Sequence, residues 1–378
     1  MKILHTSDLH LGKRVNEYSM IDEQKNILKE ILSIVESEKP DAVILAGDIY
    51  DKSVPSVEAV ELFDDFLVEL AKIENQIFAI SGNHDSAERI AFASRIMDKL
   101  GVHFSPVYDG DVKPIMLKDD FGEVYIYMLP FVKPIHVRQF FPTAEINNYT
   151  DAVKVAIENM NVDMSQRNVI VAHQFITDAS RRESETVSVG GLDNVDANVF
   201  DGFDYVALGH LHGAQNCGDE RVRYSGTPLK YSFSEVNDEK SVTIVELGAK
   251  GDMKVRTVPL HPLHEWQDLR GTYAEVTNRD FYNGTTYRED YVRITLTDKD
   301  DIVDAIGKLR AIYHNIMELR YDNDRTRNYG MVDVSVNPEK QPIEMFSELF
   351  ELQNGCKMVD EQNQYVEKML NEILEDRR

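Results

Sequence analysis

Cysteine is nearly absent from this chain: two among 378 residues, Cys217 and Cys356, far apart and in no C-x-x-C pair. A disulfide framework is therefore not expected, and a reducing cytoplasm is the expected location. Long apolar runs are missing too. None approaches the roughly 20 residues needed to cross a bilayer. The N-terminus "MKILHTSDLH" meets an acid at position 8, before a signal-peptide apolar region can develop. No membrane association is expected. Basic residues are scarce: 41 Lys and Arg stand against 66 Asp and Glu, a net charge of −25. That balance argues against tight nucleic-acid binding by this chain alone, because phosphate neutralisation draws on clustered Lys and Arg. A polyanionic substrate must be met by bound cations, by a few local basic residues or by a basic partner. Internal repeats and low-complexity tracts are absent as well. What remains is ordinary for a globular protein, 42% hydrophobic and 28% charged, with length for two or three domains.

The first 210 residues alternate short apolar runs with helical periodicity. "MKILHTS", "PDAVILAGD", "NQIFAISG", "VYIYMLP", "NVIVAHQ" and "DYVALGH" read as buried strands. Between them, "MIDEQKNILKEILSIVESEK" and "SVEAVELFDDFLVELAKI" space apolar residues three and four apart, as amphipathic helices do. The alternation predicts an α/β domain with its site at the strand ends. "VRYSGTP", "SVTIVEL" and "KVRTVPL" read as a run of antiparallel strands completing a second sheet. A boundary is expected near "LHPLHEW". It separates residues 1–262 from a small α+β module at 263–336, with strand, helix and strand in "EDYVRITLTDKDDIVDAIGKLRAIYHNIMELRY". After a linker, "NPEKQP", residues 337–378 read as two helices broken at Gly355. In the second helix Val366, Met369, Leu370, Ile373 and Leu374 form one apolar stripe. It suits packing against its own domain and docking on a partner's helices equally.

Five strand ends carry the chemistry. "SDLH" offers Asp8 and His10, which face the same way in an extended chain. "LAGDIYD" offers Asp48 and Asp51, "SGNHD" offers Asn83 and His84, "VAHQ" offers His173, and "LGHLH" offers His210 and His212. Glycine precedes the key residue in three of these motifs and is expected to let the backbone turn sharply there. A single Asp after a strand is ordinarily a turn or cap residue. Here, however, five of eleven histidines sit at strand termini beside carboxylates or an amide. His5 reads as a core residue or as a support behind the ligands, and His103, His136, His261, His264 and His314 fall in no ligand pattern. Asp85, with Glu88 three residues on, fits a capping-box start to one helix through "SAERIAFASRIMDKL".

In this order, D-x-H, G-D-x-x-D, G-N-H-D, a lone His after a strand and G-H-x-H resemble the signature of the calcineurin-like metallophosphoesterases. The resemblance implies a two-sheet β-sandwich flanked by helices. It implies one ion on Asp8, His10, Asp48 and His212, and a second on the shared Asp48 with Asn83, His173 and His210. Two divalent ions, Mn²⁺ by preference, would clamp one phosphoryl group. Because Asn83 already serves as a ligand, His84 is expected to donate a proton or a hydrogen bond to the leaving oxygen. Asp51 is expected to contribute to catalysis by orienting His84 or shaping the substrate path, or else to form a turn.

The superfamily includes small-molecule phosphoesterases as well as nucleases. "ILHTSDLHLGK", "SETVSVGG", "FDYVALGHLHGAQ", "VRYSGTPLKYSFSE" and "FSELFELQNGCKM" are similar to the SbcD family, nuclease components of bacterial SbcCD complexes. That resemblance implies an exonuclease and endonuclease acting on double-stranded DNA ends and hairpins. Its partner would be an SbcC-type coiled-coil ATPase, in a heterotetramer containing a homodimer of this chain. Residues 263–336 would cap the active site, and the terminal hairpin would dock on the partner. "VEAVELFDDFLVELAKI" and "AERIAFASRIMDKL" are the expected dimer helices, although core packing explains their apolar stripes as well. Lys13, Arg14, Arg181 and Arg182 flank the metal motifs and read as solvated charges within reach of phosphates. A metallophosphoesterase acting on a small phosphate ester or a cyclic nucleotide, and a non-catalytic adaptor of the same fold, are the alternatives.

Overall fold

The computed structural model describes residues 1–73, 75–177, 179, 193–323, 342–354 and 357–375. Arg181, Arg182, the segment 184–191, most of "NPEKQP", Gly355 and Cys356 lie outside them, as do the side chains of Ile373 and Leu374. The chain divides into two compact units, Met1–His264 and Glu265–Arg378.

Two six-stranded sheets form the first unit. The first contains β1 (Lys2–Thr6), β2 (Ala42–Ala46), β3 (Gln76–Ile80) and β4 (Val102–Phe104), all parallel. The second contains β5 (Ile115–Asp119), β6 (Gly122–Leu129), β7 (Arg167–His173), β8 (Tyr205–Gly209), β9 (Gln215–Cys217) and β10 (Asp219–Tyr224). In it β6, β7, β8 and β10 run parallel. Their central strands read as continuous apolar runs because both faces are covered. Between the sheets Ile3, Ile44, Phe78, Ile80, Ile126, Val169, Val171, Ala207 and Val245 make one core. Of the two amphipathic helices read from sequence, α1 (Ile21–Glu38) and α2 (Val57–Ala71), each buries one apolar stripe. On the second sheet α3 (Tyr149–Asn159) buries Ala152, Val153, Ala156 and Ile157 against Ile170 and Leu208.

Strands β11 (Ser241–Leu247) and β12 (Met253–Pro259) correct the sequence reading. They do not join "VRYSGTP" in one antiparallel set. Antiparallel to each other, they extend the first sheet from β1, whereas β10 lies parallel to β8 in the second. The apolar run of β11 covers the edge β1 would otherwise expose, a long-range pairing that local pattern does not encode. A second correction falls between Ser86 and Leu100. Instead of one helix there are two single turns, Ala87–Ile90 and Ser94–Met97, and a 3₁₀ turn. Only Ile90 of these turns is buried, while Phe92 and Ile96 are 80% and 68% exposed, so no apolar stripe packs to hold a long helix.

Three parallel strands, β13 (Trp266–Gly271), β14 (Tyr291–Leu296) and β15 (Asn315–Tyr321), form the sheet of the second unit. Between β14 and β15 runs the short helix α4 (Ala305–Arg310). Leu269, Val292, Ile294, Leu309 and Tyr313 fill the core, and Trp266 is buried. This unit also holds α5 (Pro342–Asn354) and α6 (Asp360–Glu375). Of the apolar stripe in α6, Val366 is buried, Leu370 half-buried and Met369 exposed.

Asp119 at the end of β5 accepts a two-pronged bond from Arg167 at the start of β7, at 3.0 and 2.5 Å, and Arg167 also donates to the carbonyl of Gly248 after β11. Arg167 holds the Asp119 carboxyl well below the usual carboxylate range. A depressed folded pKa stabilises above the unfolded value of about 3.9, and that contribution is lost as pH falls below it. Asp119→Asn should therefore flatten the acid-side decline in urea midpoint between about pH 5 and 2. Ile44, fully buried between the sheets, gives the apolar counterpart. Ile44→Ala should cost about 2–5 kcal/mol in urea unfolding, with m unchanged.

Candidate metal centre

The loops after β1, β2, β3, β7 and β8 meet at one point where the two sheets adjoin. Backbone bonds join the first two: Asp8 N–H to Gly47 O at 3.0 Å, His10 N–H to Asp48 O at 2.9 Å and Leu11 N–H to Ile49 O at 2.9 Å. Four residues of the centre take left-handed backbone angles that non-glycine residues rarely adopt: Asp8 (φ 53°), His10 (44°), Asp48 (49°) and His210 (106°). Such strain persists only where surrounding bonds over-determine it, and it clusters at functional sites. The glycines act differently from the sequence reading at two places. A Cβ on Gly82 would lie 2.1 Å from Asp48 Oδ1, and one on Gly209 would lie 1.9 Å from Ala46 O. Close approach, rather than a sharp turn, requires glycine there.

All seven expected ligand residues come together. His10 Nε2 faces His212 Nε2 at 3.2 Å. Asp48 Oδ2 lies 3.3 Å from His173 Nε2 and 3.8 Å from His10 Nε2. Asn83 Oδ1 is 3.1 Å from His173 Nε2 and 2.9 Å from His210 Nδ1. Asp8 is buried, accepting from Ser7 Oγ at 2.5 Å and from His210 N–H at 3.1 Å. His173 Nδ1 donates to Ala46 O at 2.8 Å, which fixes the tautomer and turns Nε2 inward.

The electrostatics favour cations. Burial opposes charge on both carboxylates. At Asp48 the contacts with His173 outweigh burial and hold the carboxyl well below its usual range. At Asp8, burial and repulsion from Asp48 prevail over His173 and push the carboxyl up. Burial lowers His10 and His212, with nearby positive charges adding to the effect, so both are held in the neutral form that has a lone pair to give. Two neutral rings with nitrogens 3.2 Å apart, beside two carboxylates in a dry pocket, are a donor set a divalent ion fits. Asp8, His10 and His212 could hold one ion, and Asp8, Asp48 and His173 another.

His84 also comes within reach of His10 and Asp48. Its backbone N–H donates to Asp48 Oδ1 at 2.8 Å and its Nδ1 to the carbonyl of Asp51 at 3.0 Å. Asp51 thus meets His84 through the backbone, while its carboxylate pairs with Lys13 Nζ at 2.7 Å. Lys13 is no solvated charge: its side chain is 14% exposed and its ammonium lies over the ring of Tyr231. Arg14 is exposed and bonds the carbonyl of Glu17.

Asp85 corrects the capping assignment. The short helix at Ala87 has Ser86 at its N-cap, and Asp85 turns inward. Its carboxylate accepts from the N–H groups of Ile49 at 3.0 Å, Tyr50 at 2.9 Å and Gly82 at 3.0 Å. Burial and the neighbouring Asp48 push it up to about 6. Of the remaining histidines, His5 is a core residue bonded to Tyr205, as expected, and His103 stacks on Phe78. Ser7, Tyr231, Glu235 and Lys240 carry no site role in the sequence reading. Only their place within or beside "VRYSGTPLKYSFSE" and the first motif hints at them.

Residues 1–214 match the calcineurin-like phosphoesterase family, and residues 259–354 match the family described as type 5 capsule protein repressor C-terminal domain. The chain is 32% identical to the SbcD component of nuclease SbcCD from Staphylococcus epidermidis, covering 92% of each. It is 28% identical to the SbcD component of nuclease SbcCD from Staphylococcus saprophyticus, covering 100% of this chain and 99% of that one. A dimetal phosphatase from Danio rerio is 10% identical with a TM-score of 0.40, over 69% of this chain and 98% of that one, too distant to bear on the fold. With one relative above 30% identity across nearly the whole length and the phosphoesterase match spanning every ligand motif, the chain belongs to the SbcD nucleases of the calcineurin-like phosphoesterase family.

Proposed function

We propose that this chain is the nuclease component of an SbcCD-type complex, hydrolysing phosphodiester bonds at double-stranded DNA ends and hairpins with two divalent metal ions. The meeting of Asp8, His10, Asp48, Asn83, His173, His210 and His212 at one point carries this reading. Asp8, His10, Asp48 and His212 would hold one ion. Asn83, His173 and His210 would hold the other, sharing Asp48. Mixed oxygen and imidazole donors suit Mn²⁺, the proposed occupant. When bound, the ions supply positive charge to the phosphate oxygens and make a water nucleophilic near neutral pH.

The chain's own residues supply the rest. His84 is the proposed proton donor: with Nδ1 committed to the Asp51 carbonyl, a second proton taken up at Nε2 is the one available to the leaving oxygen. Asp51 positions His84 through that carbonyl and anchors Lys13 through its carboxylate. Lys13 places a fixed positive charge beside His10 and His212 that a phosphate oxygen can use.

The net charge of −25 supports a division in which an SbcC-type ATPase supplies most of the DNA-binding surface. Residues 263–336 would cap the site, and α5 and α6 would dock on the partner's coiled coil. The exposed Val57, Val60 and Val68 of α2, with Phe92, Ile96 and Leu100, would pair two copies within a cytoplasmic heterotetramer.

The reading is tested by Mn²⁺-dependent cleavage of end-labelled duplex and hairpin DNA, with and without the ATPase, against p-nitrophenyl phosphate. Cleavage confined to the small ester would overturn it. His84→Ala should lower DNA cleavage about 10²–10⁴-fold while calorimetry still counts two Mn²⁺ per chain. Loss of one ion would make His84 a ligand instead. Without its partner the chain should bind duplex ends weakly, with a shallow dependence of log K on log salt. A steep slope, as six or more phosphate contacts give, would place the DNA surface on this chain.

A further inference from the structure

Behind His212, on the side away from His10, two opposite charges are buried together. Glu235 is fully buried and Lys240 is 7% exposed. Lys240 Nζ lies 2.6 Å from Glu235 Oε2. The pair reaches one ligand residue from two directions. Lys240 Nζ donates to the backbone carbonyl of His212 at 3.0 Å and to Thr227 Oγ1 at 2.9 Å. The Thr227 N–H donates to the same His212 carbonyl at 3.1 Å. Glu235 Oε1, held by Ser232 Oγ at 3.0 Å, lies 3.7 Å from His212 Nδ1, an ion-pair distance. Thus one carboxylate oxygen faces the lysine and the other faces the ring.

An ion pair this dry is weak evidence for stability, because desolvating both charges offsets most of their attraction. Its placement on a single imidazole calls for a more local reason. A carboxylate behind a ligand histidine fixes the tautomer and the ring angle, and makes the inward nitrogen a stronger donor. His173, on the other half of the centre, is backed differently, by the neutral carbonyl of Ala46.

We propose that Glu235 and Lys240 are positioning residues for His212, the carboxylate backing the ring and the ammonium fixing the backbone, and that they strengthen one of the two ion sites selectively. This rests on the dimetal reading above. It assigns a role to the stretch from Thr227 to Lys240, which carries no proposed ligand of its own.

The test is titration of metal-free protein with Mn²⁺ in a calorimeter, alongside thermal unfolding of the metal-free forms. Glu235→Gln alone strands a buried ammonium, so the matched double variant Glu235→Gln/Lys240→Met, neutral and similar in volume, is the decisive comparison. Wild type should bind two ions per chain. The double variant should bind one ion as before and the other about 10–100-fold more weakly, with little change in unfolding temperature. Two unchanged affinities would overturn the proposal. So would equal weakening of both ions with a lowered unfolding temperature, since the pair would then support the fold alone. Wild type taking up no Mn²⁺ would overturn the dimetal reading itself, a result distinct from either.

Discussion

Two carboxylates, Asp8 and Asp48, share one dry pocket, and much of the first unit is arranged around that unfavourable proximity. In water their repulsion would be small, but with the solvent removed neither charge is tolerated without compensation. The compensation comes from along the chain: His173 Nε2 lies 3.3 Å from Asp48, the His84 N–H donates to Asp48, and the His210 N–H donates to Asp8. Bringing five loops to one point demands close backbone approach, which accounts for glycine at 82 and 209. It also demands backbone angles that residues 8, 10, 48 and 210 would not adopt alone. The parallel strands behind them are buried.

Much of this was legible in the sequence, for a physical reason. Residues expected to bind metal at strand ends are His, Asp or Asn whatever surrounds them, so their spacing relative to apolar runs exposes them. The central strands were legible because burial on both faces writes an uninterrupted apolar run. What stayed hidden depends on partners distant in sequence. The place of β11 beside β1 follows from covering an edge, and no local pattern encodes it. Asp85 looked like a cap because Asp before a helix ordinarily is one. Its actual partners, Ile49 and Tyr50, lie 36 and 35 residues away. Glu235 and Lys240 sat among ordinary surface-like residues, and only burial distinguishes them.

Charge is divided within the molecule as well as across its surface. The chain carries a large acidic excess, yet Lys13 and Lys240 stand beside His10 and His212, each tied to its own acid. Each ammonium is thereby held in place by its own carboxylate.

The rivet formed by Asp85 bears on how this stretch can change over evolutionary time. Asn83, His84 and Asp85 are consecutive, and they face the cluster, the Asp51 carbonyl and the loop of Ile49 and Tyr50 respectively. Adding or removing one residue between Gly82 and Ser86 would rotate all three out of place together, with no neighbour able to substitute. The length of this segment is therefore as tightly constrained as its composition, and lineages retaining the chemistry should vary around it rather than within it.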